Sequence, residues 1–156
     1  MDKLKHREKN MKLYLVRHGE ALYADIDHQR ILSAEGEEQV HALAKQLCRQ
    51  SANPVHIYHS GLIRARQTAE ILADYLHPKT IEEILEIKPM DPVDIILPKI
   101  TTWTEDTMLV GHLPYLPNLV YQLSAYTTAV FYDTASAVCL EKTTQEWKVN
   151  MEISYE

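Results

Sequence analysis

Three short apolar runs constrain this chain more than anything else in it: KLYLV (12–16), PVHIYH (54–59) and TMLVG (107–111). Each has the length of a buried strand, and stretches with helical spacing alternate with them, which is the pattern of an α/β fold. Residues 34–49 form the first such stretch, with Val40, Leu43, Ala44, Leu47 and Cys48 following helical spacing. Ser33 suits the cap of that helix, and Glu35, Glu37 and Glu38 suit the positive end of its dipole. A second helix follows the second strand to about Leu76, with Leu62, Ala65, Ala69, Leu72 and Leu76 aligned and Pro78 closing it. Between 79 and 105, Ile81 to Ile87 reads as partly extended, and Asp91 or Pro92 opens a helix toward Ile100. Prolines start a further helix over 114–124, because proline is tolerated in a first turn. The end of the chain reads as a hairpin, SAVCLEK (136–142) and EWKVNMEI (146–153). Its second strand alternates Trp147, Val149, Met151 and Ile153, giving one buried and one wet face.

A chain of 156 residues holds one domain with a proper core, assigned here to residues 11–156. The first ten, MDKLKHREKN, are charged with no hydrophobic region behind them, so they read as a disordered extension rather than a signal peptide. No window is apolar enough for a membrane span. The formal net charge of −6 weighs against nucleic acid and against an anionic membrane surface, both of which select basic proteins. Cys48 and Cys139 lie in apolar stretches and read as small core residues rather than a disulfide. His6, His28, His41, His56, His59 and His77 show no paired spacing with carboxylates or thiols, so no metal is assigned to them. A cytoplasmic monomer is the expectation.

An acidic protein that handles an anion must concentrate its cations locally, and the polar residues after the strands do so. His18 follows the first strand with Arg17 beside it, Arg64 follows the second, and His112 follows TMLVG. Each stands at or just before a helix start. In an open α/β sheet these carboxyl ends share one edge, where ligands bind. Helix N-termini there present free N–H groups and a positive dipole to a phosphate. The cluster is suited to a tetrahedral dianion.

The same segments resemble a known family. LYLVRHGE (13–20) is similar to the Arg-His-Gly signature of the histidine phosphatase superfamily, which includes phosphoglycerate mutases and acid phosphatases. LSAEGEEQ (32–39), HSGLIRARQTAE (59–70) and LVGHLP (109–114) resemble three further elements, in the family's order. GHLPYLPNLVYQL (111–123), TASAVCLE (134–141) and Trp147 resemble the small SixA-type phosphohistidine phosphatases, and Arg30 matches an arginine found there. The resemblance implies a three-layer α/β/α sandwich with a mainly parallel central sheet, phosphoglycerate mutase-like. With only Ala65 to Gly111 between the second arginine and the second histidine, no helical lid subdomain is expected.

The roles implied by the resemblance are physically coherent. Neutral His18 attacks phosphorus with one ring nitrogen while the other donates to a nearby carbonyl, and becomes phosphohistidine. Arg17, Arg64 and a protonated His112 surround the phosphoryl oxygens, with Arg30 and Gly19 as further substrate contacts. Water then hydrolyses the intermediate, with no metal or other cofactor required. Larger members use a glutamate as general acid. Here Glu86 is the candidate, with Glu82 and Glu83 as rivals, and Glu20 serves either catalysis or charge balance for Arg17. An imidazole leaving group is protonated near neutral pH and needs less acid assistance. Gly61, where the family usually has proline, is expected to loosen the turn before Arg64.

Three functions compete. The first is a phosphatase of protein phosphohistidine, favoured by an open, unlidded site. The second is a small-molecule phosphomonoesterase, for which Tyr23, His28 and Tyr115 would line a small pocket. The third is a binding module that docks phosphoproteins without turnover, against which the intact Arg17, His18, Arg64 and His112 speak.

Overall fold

The structure is a computed structural model that describes residues 10–156. The extension assigned to residues 1–10 thus lies, but for Asn10, outside the described residues. Six strands form one sheet: β1 Lys12–Arg17, β2 His56–His59, β3 Thr80–Glu83, β4 Thr107–Gly111, β5 Ser136–Lys142 and β6 Trp147–Ser154. Their order across the sheet is β3-β2-β4-β1-β5-β6. The pairs β3-β2, β2-β4 and β4-β1 are parallel, and the C-terminal hairpin β5-β6 adds two antiparallel strands beside β1. Among the described residues four α-helices flank the sheet: α1 Ala34–Arg49, α2 Ile63–Leu76, α3 Ile96–Ile100 and α4 Tyr115–Leu123.

Successive side chains of a strand point to opposite faces, and each face of β1 finds its own helices. Tyr14 and Val16 join a core with Leu43 and Leu47 of α1 and Ala69 and Leu72 of α2. Leu13 and Leu15 join another with Ile96 and Ile100 of α3 and Leu116 and Leu119 of α4. Burial on both faces is why the parallel strands read as unbroken apolar runs. The outcome is the three-layer sandwich expected. From Ala65 to Gly111 the chain holds the rest of α2, the exposed edge strand β3, a short 3-10 turn (Val93–Ile95) and the five-residue α3. No helical lid stands over the sheet among the described residues, and no helix there is long and apolar enough to cross a membrane.

Local details depart from the sequence reading. Cys139 is buried, but Cys48 is exposed. One residue past Leu47, it is rotated about 100° from the buried stripe of α1, which moves it to the stripe's wet side. Leu62 is the residue before α2 rather than part of its apolar face, and is only half buried. Gly61 has φ +88°, a backbone that proline, fixed near about −65°, does not adopt. The glycine therefore sets a different turn before Arg64 instead of loosening the same one.

What positions the site is a close approach between the loop after β1 and the start of α1. Ser33 caps α1 by accepting from Gly36 N–H at 2.9 Å, and its own N–H donates to the Glu20 carbonyl at 3.0 Å. A side chain on Gly36 would collide with that Glu20 carbonyl, and one on Gly19 would lie 2.7 Å from the Gly36 carbonyl oxygen. The two glycines let backbone meet backbone just behind His18. Gly36→Ala is therefore expected to cost about 1–3 kcal/mol of stability, as overpacking does in tight cores. Urea denaturation reads it, and an unchanged midpoint would mean that the contact yields freely.

Candidate active site

β2, β4 and β1 are neighbours in the sheet, and their carboxyl ends open into one cavity of about 420 Å³. Arg17, His18, Arg30, Arg64 and His112 line it, together with Glu20, Asp27 and Thr134. His18 N–H donates to the Gly111 carbonyl at 3.1 Å, which ties the end of β1 to the end of β4. Thr68 of α2 accepts from Gly19 N–H at 3.1 Å and donates to the Arg64 carbonyl at 2.8 Å. That hydroxyl locks the first turns of α2 to the loop that carries the histidine.

His18 is 6% exposed, and its Nδ1 lies 2.7 Å from the Gly19 carbonyl oxygen. A carbonyl only accepts, so Nδ1 holds the proton and Nε2 keeps its lone pair. Arg64 Nε faces that lone pair at 3.4 Å. Burial pushes His18 down to about 4; the Gly19 carbonyl opposes the shift, and the charges of Arg64, Arg17 and Arg30 reinforce it. The ring is thus neutral and nucleophilic at neutral pH.

Arg64 is 3% exposed and carries a carboxylate in its fork. Its Nη1 donates to the Asp27 carbonyl and its Nη2 to Asp27 Oδ2, both at 3.1 Å. Asp27 also lies 3.6 Å from Arg30 Nη1, while Arg30 Nε donates to the Leu22 carbonyl at 2.9 Å. Arg17 Nη1 donates to the Tyr132 carbonyl at 3.0 Å, and the Tyr132 hydroxyl donates back to Leu15 at 3.0 Å. Burial lowers Arg17 from its ordinary value and nearby Asp133 opposes this, but a guanidinium remains a cation.

His112 is 1% exposed, its ring centroid 5.1 Å from that of His18, and its Nε2 lies 2.6 Å from the Ser60 hydroxyl. Burial, then the neighbouring His18, Arg64 and Arg17, push it down to about 2. The expectation of a protonated His112 is therefore corrected for the cavity as it stands. Desolvation and two flanking arginines outweigh any preference for a second cation there. Among the described residues, three buried side-chain polar atoms have no hydrogen-bond partner: Arg17 Nε, His112 Nδ1 and Tyr115 OH. The first two belong to cavity residues. An unpaired buried polar group costs about 1–3 kcal/mol.

The other sequence candidates fall outside the cavity wall. Gly19 does not line it, since its N–H is taken up by Thr68. Glu86 is exposed at φ +71°, where its charge acts on Tyr115 rather than on the cavity. Tyr23, His28 and Tyr115 do not line it either. Sequence reasoning missed Ser60, Asp27, Tyr132 and Thr134. Ser60 had a signal, directly after β2 at the sheet edge, whereas the other three sit in segments without periodicity. No group of three or more His, Cys, Asp or Glu among the described residues is placed to hold a metal.

Comparison with known proteins shows the family and the fold. The family model described as histidine phosphatase superfamily (branch 1) matches residues 13–91. An uncharacterised protein of Picosynechococcus is 34% identical over 117 residues, 68% of each chain. Among solved structures, the protein histidine phosphatase SixA complexed with tungstate superposes with a TM-score of 0.85 at 25% identity, covering 93% of this chain and 97% of that one. Phosphoglycerate mutase from Bacillus anthracis superposes at 0.73 with 14% identity, covering 90% and 92%, and shares the fold. A mycobacterial glucosyl-3-phosphoglycerate phosphatase does so at 0.67 with 17% identity, covering 90% and 98%.

His18 and His112 both bind protons less readily folded than at the ordinary value of 6.5. Below that value the unfolded chain takes up protons that the folded chain refuses, so their contribution to stability is lost as pH falls toward the folded values. The unfolding free energy should drop from pH 6.5 down to about 4 for His18, and further for His112, by up to about 1.4 kcal/mol per pH unit for each histidine. Urea titrations of the chain and of a His18→Asn/His112→Asn variant check it. An equal slope in the variant would place the dependence elsewhere.

Proposed function

This chain belongs to the histidine phosphatase superfamily, and from that premise we propose that it removes phosphate from phosphohistidine on a protein, through a covalent intermediate on His18. The observation that carries the reading is a neutral His18, its unprotonated Nε2 facing Arg64 Nε at 3.4 Å, in a cavity where buried polar atoms of Arg17 and His112 have no partner. In the first step Nε2 attacks phosphorus and the bond from phosphorus to the nitrogen of the substrate's protonated imidazole breaks, so that the imidazole leaves neutral. Arg17 and Arg64 balance the charge that builds on the phosphoryl oxygens. In the second step water adds to phosphorus and the bond to Nε2 breaks. One proton of water remains on the released phosphate and the other passes to solvent, replacing the one that the leaving imidazole carried away. The fixed arginines supply the charge that a metal provides elsewhere.

Two features favour a protein phosphohistidine over a metabolite phosphoester. The first is the state of the carboxylates that line the cavity. Asp27 is ion-paired with Arg64, and Glu20 accepts from the Ser33 hydroxyl at 3.2 Å. Both carboxylates are engaged by these partners, and a leaving imidazole needs less acid assistance than an alkoxide does. The second is the mouth of the cavity. No helical lid covers it, and the loops that line it expose apolar side chains, Tyr23 at 84% and Met90 at 83%. A protein surface buries such groups on docking, and a small metabolite does not.

His18→Ala is expected to lower turnover by about 10³-fold or more, and phosphate trapped on the unaltered chain should be acid-labile and base-stable on His18. EDTA should leave the rate unchanged. A His18→Ala protein with full hydrolysis would refute the mechanism.

Parallel measurement of kcat/KM on a phosphohistidine protein and on a panel of metabolite phosphates decides the substrate. Higher values on the protein are expected, and efficient metabolite turnover with none on protein would favour a small-molecule phosphomonoesterase. Stoichiometric binding of the phosphoprotein without release of phosphate would mark a docking module.

A further inference from the structure

His112 and Ser60 are 1% exposed each, so every proton they carry must be accounted for within the protein. The Ser60 oxygen accepts from Leu62 N–H at 3.2 Å and lies 2.6 Å from His112 Nε2. The only hydrogen-bond acceptor that the Ser60 hydroxyl proton meets among the described residues is that nitrogen. Two arrangements are open. If Nε2 carried hydrogen and donated to Ser60, the serine's own proton would be buried without an acceptor and His112 Nδ1 would be a buried acceptor without a donor. If Ser60 donates to Nε2, the hydroxyl is satisfied and a single group is left over, the Nδ1–H of His112, which has no partner. The second arrangement leaves one buried polar group unpaired instead of two, and the one it leaves is a donor on a cavity-lining ring.

From this we infer that Ser60 is a positioning residue that holds His112 as the neutral Nδ1–H tautomer, so that His112 gives the phosphoryl group a hydrogen bond from Nδ1 rather than a positive charge or a proton. The inference rests on the phosphatase reading for its use of the phosphoryl group, and on the hydrogen-bond balance alone for the tautomer. The low proton affinity of His112 agrees with it: a ring pushed down to about 2 does not enter the site as a cation. The division of labour follows. Arg17, Arg64 and Arg30 supply the charge, while His112 supplies direction.

The test is ¹⁵N NMR of the histidine-labelled full chain at neutral pH, with inorganic phosphate as the probe. The expected spectrum shows His112 with a protonated Nδ1 and an unprotonated Nε2, and added phosphate shifts the Nδ1–H proton downfield while Nε2 stays unprotonated. Protonation at Nε2, protonation at both nitrogens, or no response of Nδ1–H at saturating phosphate would each overturn the assignment. In Ser60→Ala the single tautomer should give way to a mixture and kcat/KM should fall about tenfold, with Ser60→Thr restoring both. A single Nδ1–H tautomer in Ser60→Ala would show that the serine does not set it. A chain that hydrolysed no phosphorylated substrate would defeat the phosphatase reading and leave the spectrum to decide the tautomer.

Discussion

The Nδ1–H of His18 donates to the Gly19 carbonyl at 2.7 Å, and most of what surrounds the sheet edge keeps that bond in place. The carbonyl can be there because the loop after β1 turns tightly against α1. That turn requires Gly19 and Gly36, whose absent side chains let the two backbones touch. The Ser33 cap anchors the helix end, and Thr68 reaches across from α2 to hold the Gly19 amide. Remove the support and the ring is free to turn, so that either nitrogen can face the cavity. With the support in place the nucleophile is chosen before any substrate arrives, which is what preorganisation means at the scale of one side chain.

The electrostatics follow from the same packing. A chain of net charge −6 places Arg17, Arg30 and Arg64 around two imidazoles that burial has already made reluctant to charge. Protonated histidines in that company would repel both the arginines and each other. Neutral rings leave the cationic work to groups that cannot lose their protons. A single cavity thus divides its tasks between neutral rings and fixed cations: lone pair, charge and directed hydrogen bond.

Much of this was legible in the residues. The apolar runs gave β1, β2 and β4 with their neighbours, because strands buried on both faces leave no polar positions to blur the pattern. Ser33 and the acidic first turn marked α1, and His18, Arg64 and His112 stood out because each follows a strand. Ser60 stood at the sheet edge directly after β2, but its importance lies in a contact with a residue 52 positions away. Asp27, Tyr132 and Thr134 act from irregular segments that neither helical nor strand periodicity can place. Cys48 misled because a helical stripe has edges, and a residue one step past Leu47 falls over that edge. The low proton affinity of His112 was not legible, because a sequence shows which cations exist and not how near they come.

Asp27 has one more consequence. Its carboxylate spans Arg64 and Arg30, so the cavity carries its own counter-ion. An incoming anion does not meet bare guanidinium groups; it must replace or share a partner that covalent attachment keeps permanently at hand. A singly charged anion offers Arg64 little that Asp27 does not already give. A doubly charged phosphoryl group offers more, and after hydrolysis the tethered carboxylate is there to reclaim the arginine as phosphate departs.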